Sequence, residues 1–120
     1  MQVEFILQRN RETRALWERL EQQPPPNLSF LFDESMGLGT IAAAWPAPPD
    51  GQRFGYAGGL SPLNISEQLQ LMAEVAAGCT FWVDMESGVR SQRSDGTDDF
   101  DINKVGRVID RVIELGFKPG

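Results

Sequence analysis

The sequence predicts an α/β domain built on a parallel sheet, and three observations carry the prediction. Short β-rich runs, VEFILQ, LSFLF, FGYA and TFWV, recur along the chain, and helical patterns come after all but the second. Glycine, carboxylate and serine gather just after these runs, in QRN, DESMGLG, AGGLSP and DMESGVR. The opposite connections, QQPPPN, DGQR and AAGC, hold mainly turn and breaker residues. Strands that alternate with helices pair in parallel through right-handed crossovers, and ligands collect at the carboxyl ends of such strands.

Taken in order, Val3 to Gln8 forms the first strand. Asn10 caps RETRALWERLEQQ, whose Ala15, Leu16, Trp17 and Leu20 lie near one another on a helical surface. Pro24, Pro25 and Pro26 stop that helix, and the second strand runs from Leu28 to Phe32, ending at Asp33. Between Glu34 and Arg53 the residues Gly37, Gly39, Pro46, Pro48, Pro49 and Gly51 leave only a long loop, with one short turn near Ile41 to Trp45. Phe54 to Ala57 is the third strand. Ser61 and Pro62 open a helix to Ala77 that buries Ile65, Leu69, Met72 and Val75. Thr80 to Val83 is the fourth strand, SQRSDGTDD a solvated loop, and Ile102 to Leu115 the last helix, with Val105, Val108, Ile109, Val112 and Ile113 inward.

Composition narrows the function classes. A chain of 120 residues with 41% hydrophobic and 23% charged residues fits one globular domain over residues 1–120. No apolar run approaches the roughly 18 residues of a membrane span, and the N-terminus has no secretory pattern, so a cytoplasmic protein without a membrane partner is expected. With one cysteine and no histidine, the usual disulfide, zinc and iron arrangements cannot be assembled, and neither metal nor cofactor is expected. A net charge of −6 argues against a sequence-independent grip on nucleic acid. Any anionic ligand must be held by local geometry.

The glycine pair in FGYAGGLSPLN therefore has two readings: turn geometry, or a close approach of another group to the main chain. The order FLFDESMGLG, GYAGGLSPLN, VDMESGVR resembles the second half of phosphoribosylanthranilate isomerase, a (βα)8-barrel enzyme of tryptophan biosynthesis, over about residues 28–115. The resemblance implies a four-stranded parallel half-barrel and an Amadori-type sugar-phosphate isomerase. Asp33 would be the general acid that protonates the sugar ring oxygen. Gly58, Gly59, Ser87 and Gly88 would cradle a phosphate on main-chain amides, with Gly37 and Gly39 in the loop after the acid and Asp84 positioning the substrate. The ligand it implies is a phosphorylated small molecule.

Three departures stand beside the likeness. The loop after Asp33 has no lysine, Glu86 stands where the family has serine, and the strand that carries the family's cysteine base has no counterpart. Cys79 precedes the fourth strand, roughly 16 Å from Asp84 at ~3.3 Å per residue, too far to replace that base. The alternative reading is a noncatalytic or truncated phosphate-binding half-barrel. A flavodoxin-like domain fits the alternation, but such folds have a fifth strand that this chain lacks.

Four strands make about half of a barrel that takes at least ~200 residues. Both sheet edges would then be unpaired, and an inner face carrying some of Phe5, Leu7, Phe30, Phe32, Tyr56, Phe81 and Val83 would meet water. A twofold homodimer that closes one eight-stranded barrel is the expected remedy. Asp33 and the glycines also have plain structural readings as loop and turn residues. Asp84 and Glu86 are expected to face opposite ways, and Trp17, Trp45 and Trp82 to pack in the core.

Overall fold

The computed structural model describes residues 1–36 and 38–118, so Gly37 of the expected site lies outside the described residues. Strands β1 (Phe5–Arg9), β2 (Leu28–Phe32), β3 (Phe54–Ala57) and β4 (Phe81–Asp84) form one parallel sheet in the order β1-β2-β3-β4. Helices α1 (Arg14–Gln22), α2 (Ile65–Ala76) and α3 (Ile102–Glu114) come after β1, β3 and β4. Because consecutive strands are neighbours, right-handed crossovers put every helix on one face, as in half of a closed βα barrel.

The register identifies that face. Leu7, Phe30, Phe54 and Phe81 form one row across the sheet, and Arg9, Phe32, Tyr56 and Val83 form the next. Residues two apart on a strand share a face, so both rows lie together. They pack against Ile65, Leu69, Met72 and Val108 from α2 and α3, and Phe30, Phe54 and Tyr56 are fully buried. The expectation that these aromatics would line an open inner face is thus corrected: they form the core beneath the helices, and only Phe5 of that set is exposed. The other face carries Ile6, Gln8, Ser29, Leu31, Gly55, Ala57, Trp82 and Asp84. It is more polar, and the Trp82 indole lies where a Cβ on Gly55 would stand.

The local starts differ in detail from the expected ones. Asn10 is buried and its Oδ1 accepts from the amides of Glu12 (2.9 Å) and Thr13 (3.1 Å), which makes a turn one step ahead of the α1 cap at Thr13. Ser61 likewise opens a turn rather than the helix itself. Its carbonyl accepts from Ile65 N at 3.0 Å, and α2 begins after Asn64. At α3 the Asp101 side chain accepts from Asn103 N and Lys104 N, a cap that satisfies two orphan amides. Ile109 and Ile113, expected inward, are 52% and 66% exposed.

The expected polar loop after β4 is instead a 3-10 turn (Ser87–Val89) and an antiparallel hairpin, β5 (Arg90–Gln92) and β6 (Asp98–Phe100). Asp95-Gly96 turns its tip with Gly96 at φ 86°, and ion pairs Arg90–Asp98 and Arg93–Asp99 tie the strands. Polar and charged residues stand where the apolar pattern of a strand is usually recognised.

Among the described residues the connection from β2 to β3 has no helix, and a tryptophan takes the helix's place. Trp45 is buried edge-on against Phe32 (5.9 Å) and Tyr56 (5.5 Å), and its Nε1 donates to Gln68 Oε1 on α2 at 2.9 Å. The Tyr56 hydroxyl donates to the Pro46 carbonyl at 2.7 Å. Burial, with a smaller contribution from the Cys79 thiolate, pushes the Tyr56 phenol up to about 12. Tyr56 is the chain's one tyrosine, so an ultraviolet titration of phenolate reads it alone. The folded protein is expected to stay un-ionised at pH 10–11, where the urea-unfolded chain titrates near 10. The raised value favours the folded state fully below pH ~10 and loses that effect as the pH rises toward 12. A folded-state midpoint near 10 would contradict it.

Candidate ligand cleft at the carboxyl ends of the strands

A polar cavity of about 120 Å³ opens at the carboxyl ends of β2, β3 and β4, and Asp33, Gly39, Gly58, Gly59, Asp84, Ser87 and Gly88 all line it. Every described residue of the expected site is therefore on one surface. Glu86 lines it too, so both Asp84 and Glu86 border the cleft. Sequence reasoning missed Ser35, Ala57, Leu60 and Met85. The signal for Ser35 was present, since an aspartate two residues before a serine favours a local turn.

Asp33 ends β2, where its amide donates to Arg9 O at 3.2 Å and continues the sheet ladder by one bond. Its Oδ1 accepts from Ser35 N (3.1 Å) and Ser35 Oγ (2.5 Å). One oxygen is thus held by the loop, and Ser35 is itself buried. A Cβ at Gly58 would come within 3.0 Å of that same Oδ1 and 3.3 Å of Ser35 Oγ. Asp33 therefore packs directly on the glycine pair.

The glycines answer both readings of their sequence. Gly58 and Gly59 have φ of 104° and 69°, a region that side chains rarely adopt. A close approach also exists, and the approaching group is the chain's own backbone. A Cβ on Gly59 would run into Ile41 N and lie 2.6 Å from Thr40 C. A Cβ on Gly88 would run into the Leu60 carbonyl oxygen and lie 2.8 Å from its carbon, and one on Gly39 would come within 2.9 Å of Ser87 Oγ. The three loops are packed main chain to main chain, and these glycines make that packing sterically possible. The Asn64 side chain adds a clasp, accepting from Ser61 N (2.9 Å) and donating to Gly59 O (2.8 Å).

The electrostatics of the cleft are one-sided. Its ionisable lining is Asp33, Asp84 and Glu86, with no lysine or arginine. Among the described residues no group of histidine, cysteine, aspartate or glutamate is arranged to hold a metal ion. The groups that could hold an anion are main chain: the first bond of the 3-10 turn is Val89 N to Glu86 O, so the amides of Ser87 and Gly88 have no acceptor within the turn. Cys79 is exposed and lines a separate apolar hollow with Phe81, Val112 and Phe117, away from the cleft. No thiol is available as a base beside Asp33.

Among the described residues no helix is long and apolar enough to cross a membrane. Comparison with protein-family models, with curated proteins and with solved structures finds no match to this chain.

Proposed function

We propose that the chain is a phosphoribosylanthranilate isomerase-like half-barrel that binds a small phosphorylated sugar in this cleft. The observation that carries the reading is the convergence of Asp33, Gly39, Gly58, Gly59, Asp84, Ser87 and Gly88 on one polar cavity at the carboxyl ends of the strands. The phosphate is held by the Ser87 and Gly88 amides, which need no lysine. In the reaction, Asp33 acts as the general acid that gives a proton to the ring oxygen as the C1–O bond breaks and an iminium forms. A base then takes the C2 proton, and the resulting enolamine tautomerises to the ketone. Asp84 and Glu86 are the remaining titratable groups of the cleft and the candidates for that base. We further propose that a second copy closes the sheet into an eight-stranded barrel, since β1 and β4 each pair on one side only.

The test is turnover of phosphoribosylanthranilate, followed by loss of its fluorescence. Asp33→Asn is expected to lower kcat at least ~100-fold, the typical weight of a general acid, with far-ultraviolet circular dichroism unchanged. The absence of a thiol from the cleft favours one alternative, a noncatalytic phosphate-binding half-barrel. Saturable binding of inorganic phosphate without any turnover would select it.

A further inference from the structure

We infer that Arg11 of a second copy stands beside Asp84 and Glu86 and gives the cleft the cation it lacks within one chain; this rests on the barrel-closing reading above. The directions in which the helix flanks face lead to this pairing. At about 100° per residue, Gln68, Leu71 and Val75 share one flank of α2, and that flank faces the preceding connection at Ala42 to Trp45. The opposite flank therefore faces the next element along the chain, and α2 does touch α3. Successive βα units repeat the same geometry. On α1 the flank equivalent to Gln68 and Val75 carries Leu16 and Leu20, and it faces outward past the free edge of β1. On α3 the opposite flank carries Ile102, Ile109 and Ile113, and it faces outward past the free edge of β4.

Both outward flanks expose apolar side chains, the three isoleucines on α3 and Leu16 on α1, while Leu20 is partly buried against the core. Ile102 is 72% exposed and Leu16 50%. On α3 the three isoleucines form a second apolar stripe, about 100° round from the core stripe of Val105, Val108 and Val112. A helix with two apolar stripes packs on two neighbours, and this chain supplies only one of them. The two orphan flanks are opposite in hand, which is the relation that lets α3 of one copy receive α1 of the other while β4 pairs with the partner's β1. A twofold axis repeats the seam and leaves no open edge.

That pairing brings the loop after the partner's β1 next to the loop after β4. The first loop carries Arg11, exposed and outside every ion pair among the described residues. Arg9, close by in the sequence, is already engaged by Glu21 at 3.3 Å and lies 3.9 Å over the Trp17 ring. Asp84 at the end of β4 and Glu86 in the second loop are both exposed. Charge thus complements charge across the seam, at the rim where the cleft is open.

Sedimentation of the full chain is expected to give a dimer at low micromolar concentration, and Ile109→Glu/Ile113→Glu a monomer with unchanged circular dichroism. Arg11→Glu and Glu86→Arg should each weaken the dimer about tenfold, and the double swap should restore most of the loss. In a phosphate titration Arg11→Gln should lower affinity in the wild-type dimer but add nothing in the monomeric Ile109→Glu/Ile113→Glu background. A wild-type monomer at tens of micromolar, a dimer indifferent to the isoleucine pair, or single charge reversals that the swap does not rescue would each overturn the inference. A dimer that passes the charge swap yet binds no phosphate would overturn only the phosphate reading.

Discussion

Gly88→Ala is expected to destabilise the fold by more than about 3 kcal/mol, beyond the usual range for an overpacked site, and to leave much of the chain unfolded at 37 °C. The added methyl group would occupy the position of the Leu60 carbonyl oxygen, with the Leu60 carbon at 2.8 Å and Ser61 Cα at 3.1 Å. All three neighbours are main chain, so no rotamer change relieves the clash. Either the 3-10 turn or the loop after β3 must move, and both are walls of the cleft. Total stabilities of single domains lie near 5–15 kcal/mol, so the loss is a large share. The control is Gly106→Ala in α3, where a Cβ meets nothing within 4 Å. There, replacing a helical glycine should stabilise by about 0.5–1 kcal/mol. Urea denaturation of the two variants beside wild type checks both signs, and a Gly88→Ala midpoint equal to wild type would refute the predicted clash.

The second large effect is expected at Trp45. Trp45→Ala should cost about 3–5 kcal/mol, as for other buried aromatic truncations. It removes two edge-on aromatic contacts with Phe32 and Tyr56 and leaves Gln68 Oε1 without its donor. The damage should be regional. Residues 41–49 reach the core through this buried side chain, the partly buried Ala42 and the Tyr56–Pro46 hydrogen bond, so limited proteolysis should cut there first. Trp45→Phe keeps the packing and loses the donor, and is expected to recover most of the stability but not the last ~1 kcal/mol of the hydrogen bond. Cleavage spread evenly along the chain would show that the loop has other anchors.

Much of this fold was legible in the sequence because βα units announce themselves twice. LSFLF and FGYA read as strands from composition, and the structure ends them at the expected residues. The lining of the candidate cleft was legible for a related reason: in a parallel sheet the carboxyl strand ends converge, so the residues at or just past each strand end already include Asp33, Gly58, Asp84 and Ser87. Features that depend on facing escaped. Phe30 and Tyr56, among the candidates for an open face, lie in the core instead, because alternation in a strand shows that two faces exist but not which one the helices cover. Ile109 and Ile113 looked inward because a broad apolar stripe and two narrower ones give nearly the same periodicity. The hairpin after β4 escaped because salt bridges, not apolar residues, pair its strands, although Asp95-Gly96 marked the turn. The glycine contacts were invisible in principle, since the group that approaches Gly59 is the main chain of a loop 18 residues earlier in the sequence, at Ile41.

The tryptophan that stands in for a helix between β2 and β3 has a consequence for time as well as for stability. Backbone from Thr40 and Ile41 forms the surface against which Gly59 rests, and the segment carrying them holds few main-chain hydrogen bonds of its own. Its excursions from the sheet are expected to follow how often the Trp45 side chain leaves its socket. Amide hydrogen exchange along the loop and entry of a ligand into the cleft should share that single opening step. A change at Trp45, which does not line the cleft, would then alter how often the cleft opens.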